Sequence, residues 1–161
     1  MTVDELSGAW LAAWSGGEDD AFARLCAPTV HYEDPLTQVP LRGAAALADH
    51  ASRLRAGVPD MRLEPAGTPP CVDGFLAVPW RLRGTHTDRL GDLPPTGRPL
   101  ALHGLFYCEL DGSGGDGDRM LRVRTFFDLY DAAVQLGVLP RRGTFGERAL
   151  LALRGFGLRI T

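Results

Sequence analysis

Cysteine is scarce in this chain. Cys26, Cys71 and Cys108 are odd in number and widely scattered, which excludes a disulfide framework and fits reduced thiols in a cytoplasmic protein. No apolar run is long enough to span a bilayer. The start, Met1-Thr2-Val3-Asp4-Glu5, is acidic where a signal peptide needs a cationic region and an apolar core, so neither secretion nor a membrane is expected. A basic excess is also missing: 17 cationic residues face 20 acidic ones, for a net charge of −3. That balance gives no footprint for nucleic acid and no polybasic anchor. The four histidines show neither His-Glu-x-x-His spacing nor a cysteine partner, so no metal site and no cofactor are expected. No serine or cysteine stands in a nucleophile elbow, which disfavours covalent acyl transfer. What remains is an ordinary globular composition, 161 residues at 45% hydrophobic, enough for one domain with a real core.

Taken in order, Thr2 and Glu5 form a capping box, and Val3, Leu6, Trp10, Ala13 and Trp14 then recur on one helical face. Ser15-Gly16-Gly17 ends that helix. Asp19-Asp20 start a shorter one that buries Phe22, Leu25 and Cys26. The stretch from Val30 to Gly43 begins as a strand with Val30, Tyr32 and Asp34 on one face and His31 and Glu33 on the other. Pro35 stops it. A helix over 44–56 follows, with Leu47, Ala51 and Leu54 in register and Gly57 as its stop.

From there the period changes to two. Asp60–Glu64 and Val72–Arg83 read as strands, the second with Pro79 marking an edge or a bulge. Gly84–Pro99 is rich in Gly, Pro and Asp, a long connection suited to a pocket rim. Leu100–Leu110 and Met120–Phe127 are strands joined by the Gly-rich hairpin loop Asp111–Asp118, which lacks the ligand pattern of a calcium loop. Asp128 or Asp131 opens a short helix ended by Gly137. A basic tail with Leu150, Leu151 and Leu153 as an apolar patch closes the chain. The domain is expected over 1–139, with 140–161 as its extension. Helices first and strands second predict an α+β fold: a curved, mostly antiparallel sheet wrapped around the N-terminal helices, a cone with one apolar pocket.

Asp34 reads in two ways. It is a general base whose pKa is raised by apolar surroundings, or it is a cap of the turn before Pro35. Trp10, Trp14 and Trp80 would line a pocket for a flat polycyclic ligand or simply fill the core, the better reading for Trp14. His103, alone in the apolar run Leu-Ala-Leu-His-Gly-Leu, is a satisfied core or interface residue or a catalytic one. His86 falls on the expected rim, where solvation is expected. Arg81 and Arg83 share one strand face, as do Arg122 and Arg124, which suggests a charged sheet face in a homodimer.

Three motifs carry a resemblance covering roughly residues 1 to 139. Tyr-Glu-Asp-Pro-Leu followed by Pro-Leu-Arg-Gly resembles the segment of ketosteroid isomerases whose Asp before Pro is the proton-shuttling base. Pro-Pro-Thr-Gly-Arg-Pro at 94–99 resembles the turn leading into the penultimate strand of SnoaL-like polyketide cyclases and limonene epoxide hydrolases, and Arg-Thr-Phe-Phe-Asp at 124–128 resembles their last strand. The resemblance implies the nuclear-transport-factor-two cone fold and a cofactor-independent acid/base enzyme acting on an apolar carbonyl compound, a cyclase or isomerase. It implies Asp34 as base, and Tyr32 with Asp34 matches the Tyr-x-Asn pair that positions water in limonene epoxide hydrolases, with Asp replacing Asn. The isomerases' second donor on the penultimate strand has no match, and His103 is the nearby polar residue offered as a further catalytic candidate. Trp10, Trp14, Trp80, Thr125 and Phe127 would bind substrate, and Trp10 stands where the isomerases carry an oxyanion Tyr. The acidic residue that the cyclases and epoxide hydrolases use on the last strand falls at Thr125, a departure from both patterns. Epoxide opening and non-catalytic binding of a small molecule are the alternative readings.

Overall fold

A computed structural model of the chain describes residues 1–18 and 20–155. Helix α1 (Val3–Trp14) opens on the capping box: Thr2 Oγ1 accepts from the Glu5 N–H, and the Glu5 carboxylate accepts from the Thr2 N–H. Two donors that a helix start leaves without partners are thereby satisfied. Helix α2 (Ala21–Leu25) begins after Asp20, and Asp19, read as part of its start, lies outside the described residues. There follow β1 (Cys26–Glu33), β2 (Leu41–Arg42), α3 (Ala44–Gly57), β3 (Arg62–Pro65), β4 (Cys71–Val72), β5 (Phe75–Thr85), β6 (Pro99–Leu110), β7 (Met120–Phe127), α4 (Leu129–Gln135) and α5 (Phe145–Gly155).

The strands form one sheet in the order β2-β1-β7-β6-β5-β3, with β4 also pairing β5. Only β1 and β7 run parallel. Along β5 and β6 the register is unbroken from Phe75↔Glu109 to Thr85↔Pro99. Alternation therefore sends Leu76, Val78 and Trp80 of β5, and Leu102, Phe106 and Cys108 of β6, to the buried face. Trp10, Trp14, Phe22 and Phe106 meet there, so α1 lies against the concave side of the sheet. Its end is tied down by the Arg55 guanidinium donating to the Ala13 carbonyl and by the Leu63 N–H donating to Ser15 Oγ. The arrangement is the α+β cone expected from the sequence.

Three local features differ from that expectation. The run read as one strand over 72–83 is a hairpin, because Asp73 and Gly74 both adopt positive φ (50° and 78°) and make a tight turn between β4 and β5. Asp-Gly is the usual dipeptide for such a turn. Pro79 sits neither at a sheet edge nor at a bulge. Its carbonyl accepts from the Ala66 N–H, and in a strand a residue's N–H points to the same side as its C=O. The missing donor thus faces the gap between β3 and β4, and the β6 ladder is intact. His86 is fully buried instead of solvated, with Nδ1 accepting from the Thr96 N–H. At the far end, Asp128 caps α4 by accepting from the Asp131 N–H, while α5 leaves Phe145, Leu150, Leu151 and Leu153 exposed.

Gly104 stands opposite Trp80 across the β5–β6 ladder, and a Cβ there would come within 2.1 Å of the indole ring and 2.6 Å of the Phe126 carbonyl oxygen. Gly104→Ala is expected to destabilise the fold by about 1–3 kcal/mol, the usual cost of overpacking. Urea unfolding followed by tryptophan fluorescence checks this. A midpoint equal to that of the wild type would mean that the indole does not need this close approach.

Candidate active site

Asp34 immediately follows β1, where Pro35 has ended the ladder, and its position is fixed by the turn that the chain then makes. One carboxylate oxygen, Oδ1, accepts the N–H groups of Leu36 (2.8 Å) and Thr37 (2.9 Å). The Thr37 hydroxyl in turn accepts from the Asp34 N–H and donates to its carbonyl. This is the Asx turn that Asp favours. The other oxygen, Oδ2, accepts the Tyr32 hydroxyl at 2.9 Å and lies 2.7 Å from His50 Nε2. The Asp34 side chain is 2% exposed and that of His50 is 9% exposed.

Burial alone pushes the Asp34 pKa up. The His50 hydrogen bond and charge, the Leu36 N–H and the Tyr32 hydroxyl outweigh it, and the carboxyl ends below its ordinary value of 3.8. This corrects the expectation of a raised pKa: the surroundings include four donors as well as apolar walls. Burial first, and then the Asp34 charge, hold the Tyr32 phenol well above 10, so Tyr32 stays protonated. Thr125 on β7 donates to the Tyr32 oxygen at 2.9 Å. Every hydrogen in the chain Thr125–Tyr32–Asp34 therefore points toward the carboxylate.

That arrangement has a chemical consequence. A carboxylate offers about four acceptor positions, and here all four are taken by Tyr32, His50, Leu36 and Thr37. Asp34 is left with no free lone pair for a substrate proton. Because Asp34 is ionised, His50 Nε2 must be the donor between them, and in the neutral ring Nδ1 then carries the lone pair. Nδ1 has no hydrogen-bond partner among the described residues. The sealed, unpartnered polar side-chain atoms there are those of Trp10, Trp14, Trp80 and His86, so His50 Nδ1 keeps access to solvent. His50 was not singled out in the sequence. It sits one helical turn after Leu47 on the inward face of α3, and the i, i+3 spacing from that buried leucine was the signal available.

His50, Asp34, Tyr32 and Thr125 all line a cavity of about 620 Å³. Its remaining walls are largely aromatic and aliphatic: Trp14 leans on both Tyr32 and His50 with ring centroids at 5.2 and 6.2 Å, and Trp80 and Phe127, 6.2 Å apart by ring centroids, also line it. Of the five substrate-binding candidates, Trp14, Trp80, Thr125 and Phe127 line the cavity. Trp10 does not: it is fully buried behind Trp14 and Phe106, with its N–H sealed in the core. His103 is excluded too, because alternation on β6 places it on the exposed outer face while Leu102 takes the cavity side.

Two covalent routes are disfavoured. The chain contains no lysine, so no lysine imine can form with a carbonyl. Burial pushes the Cys26 thiol up to about 12 and that of Cys108 higher still, far from a thiolate nucleophile.

The sequence pattern of SnoaL-like polyketide cyclases matches residues 4–136. The chain belongs to the SnoaL-like family. Solved structures place it with the same cone. IdmH of Streptomyces antibioticus, a proposed polyketide cyclase, is 22% identical at a TM-score of 0.69, over 85% of this chain and 99% of that one. A candidate isomerase of the SnoaL-like family from Agrobacterium tumefaciens is 25% identical at 0.58, over 80% and 99%. A protein of ketosteroid isomerase-like fold from Catenulispora acidiphila is 17% identical at 0.67, over 85% and 95%. No curated protein matches the chain. For this SnoaL-like protein, family and neighbours support a cyclase or isomerase kind of activity. Among the described residues no helix is long and apolar enough to cross a membrane.

Because the Asp34 pKa is depressed on folding, its stabilisation is present above pH 3.8 and lost as pH falls through the lower folded value. Asp34→Asn should therefore be less stable than wild type near neutrality, with the gap closing on acidification below that pH. Urea unfolding across the acid range measures it. A gap that stays constant down to about pH 2 would show that the carboxylate gains nothing from its ionised form.

Proposed function

We propose that this SnoaL-like protein is a cofactor-independent acid/base enzyme acting on an apolar carbonyl compound, a cyclase or isomerase, with the Asp34–His50 pair moving the proton. The single observation that carries this reading is a saturated, ionised carboxylate holding a histidine with one unoccupied ring nitrogen, in the wall of a largely apolar cavity. His50 Nδ1 takes the proton alpha to the substrate carbonyl, and the C–H electron pair moves onto the carbonyl oxygen as an enolate. Asp34 fixes the tautomer and orientation of the ring and stabilises the imidazolium as it forms. The imidazolium then lies beside the enolate and returns the proton, either to another carbon, which is isomerisation, or to the alkoxide left by aldol-type ring closure. Tyr32 and Thr125 act through Asp34 as positioning residues. Neither His103 nor Trp10 has a part in it.

Epoxide opening is the weaker alternative. Among the described residues Asp34 is the only carboxylate lining the cavity, and its acceptor positions are filled.

The proposal extends to a homodimer through the outer sheet face. Pro79, Leu105 and Phe126 align across β5, β6 and β7 there, with Tyr107 exposed beside them. Arg122 pairs with Glu109 and Arg124 with Glu33, while Arg81 and Arg83 on the same face form no ion pair among the described residues, so a second copy would meet an apolar strip flanked by two neutralised pairs and two free arginines. Sedimentation velocity should give a dimer for wild type and a monomer for Phe126→Arg. A wild-type monomer at tens of micromolar, about the range of an ordinary dimer, would refute this part.

The chemical test is proton–deuterium exchange in D2O with 2-tetralone and related apolar ketones, read by mass spectrometry. His50→Ala should slow exchange by about a hundred- to ten-thousandfold, the usual worth of a general base. Asp34→Asn combined with it should add little, since residues acting as a unit are not additive. Exchange unchanged in His50→Ala, or none with any ketone in wild type, would sink the reading.

A further inference from the structure

The polar groups of the cavity lie along one side only. Asp34, Thr37 and Gln38 come from the end of β1 and the turn after it, His50 and Arg53 from α3, and Thr125 from the adjoining β7. The walls contributed by β5, β6 and α4 are hydrocarbon, among them Trp80, Leu82, Leu100, Leu102 and Leu136. A ligand that fits such a space has one oxygenated edge and one apolar edge.

Charge on the polar side is sparse. All 17 cationic residues of the chain are arginines, and Arg53 is the only one that lines the cavity among the described residues. The negative charge of Asp34 is already answered by its four donors. Arg53 itself makes no hydrogen bond and no ion pair among the described residues, in contrast to Arg55, which donates to a backbone carbonyl, and Arg122 and Arg124, which meet glutamates. Asp49, one helical turn earlier, forms no ion pair with it and does not line the cavity. Arg53 lies three positions after His50, so the two side chains start about 5–6 Å apart on neighbouring turns of α3. His50 is buried and Arg53 is exposed, which puts the guanidinium nearer to water than the imidazole.

We infer that Arg53 is a specificity-determining residue that binds a carboxylate on the substrate, so that the ligand is an amphiphilic keto acid whose anionic group stays at the mouth while its apolar body enters the cone. The inference rests on the carbonyl chemistry proposed for His50 and names the substrate class. A guanidinium presents paired N–H donors that match a carboxylate in bidentate geometry. Placement at the mouth also decides between two possible anions. A ground-state carboxylate keeps part of its hydration there, whereas the enolate forms deeper, beside the imidazolium that has just taken the proton.

The test uses 2-naphthoate and methyl 2-naphthoate, a pair matched in shape and differing in charge, titrated by calorimetry into the whole protein. Wild type should bind the acid about tenfold more tightly than the ester, the size of one exposed charge-assisted contact. Arg53→Gln should bring the two ligands to within about twofold by weakening only the acid, and Arg53→Lys should keep part of the preference. Because Arg53 is exposed and unpaired, thermal unfolding should be the same in all three proteins. An acid that binds no better than the ester in wild type, or fails to bind at millimolar concentration, overturns the inference. So does a preference that survives in Arg53→Gln. Binding does not need proton transfer: loss of deuterium exchange with the preference intact would remove the chemical reading alone, and the reverse result would remove the carboxylate alone.

Discussion

A buried carboxylate is costly unless hydrogen bonds replace the water it has lost, and most of the organisation around Asp34 follows from meeting that cost. Two of its four donors come from the turn that Pro35 starts, one from the strand residue two positions earlier, and one from a helix that begins ten residues later. Removing any one of them would leave an acceptor of an ionised group facing hydrocarbon. The same four bonds divide the work. They spend every lone pair of the carboxylate, and they leave the neighbouring imidazole with one nitrogen fixed and the other unoccupied. The requirement for a stable buried charge and the fixed orientation of the imidazole are met by one set of contacts.

The wider fold serves that arrangement. The parallel pairing of β1 with β7 brings Thr125 next to Tyr32, and α3 carries His50 inward because Leu47 and Ala51 on the same face fill the core. Trp14 packs on both the phenol and the imidazole. A tryptophan read as core and a tryptophan lining a pocket are the same residue here, since the ring is nearly wholly buried and still forms part of the cavity wall.

Much of the fold was legible in the sequence because it is written in local signals. The capping box at Thr2 and Glu5, the alternation through Leu100–Leu110 and Met120–Phe127, and the breaks at Pro35 and Gly137 each act within a few residues. Misreadings came where a local signal meets a non-local answer. Pro79 looked like an edge residue, but which side of a strand lacks a partner depends on where β3 and β4 end. His103 and His50 show the same limit. Each is a lone histidine in an apolar pattern, and only register and helix packing tell which one faces the cavity. The raised pKa expected for Asp34 failed for a similar reason: burial was readable from Val30 and Tyr32, while the donors from Leu36, Thr37 and His50 were not.

The hydrogen bond between Tyr32 and Thr125 joins residues 93 positions apart, and its effect reaches into how the protein is made. β7 inserts between β1 and β6 and begins only at Met120, so the residues before it cannot complete the sheet while the chain emerges from the ribosome. Until the last strand arrives, β1 has an open edge and the cavity lacks one wall, in the middle of what becomes a continuous ladder. Such long-range closure is slow relative to helix formation. A complete cavity wall therefore arrives late in synthesis, in one step with insertion of the last strand into the sheet, and a partly made chain exposes its apolar interior until then.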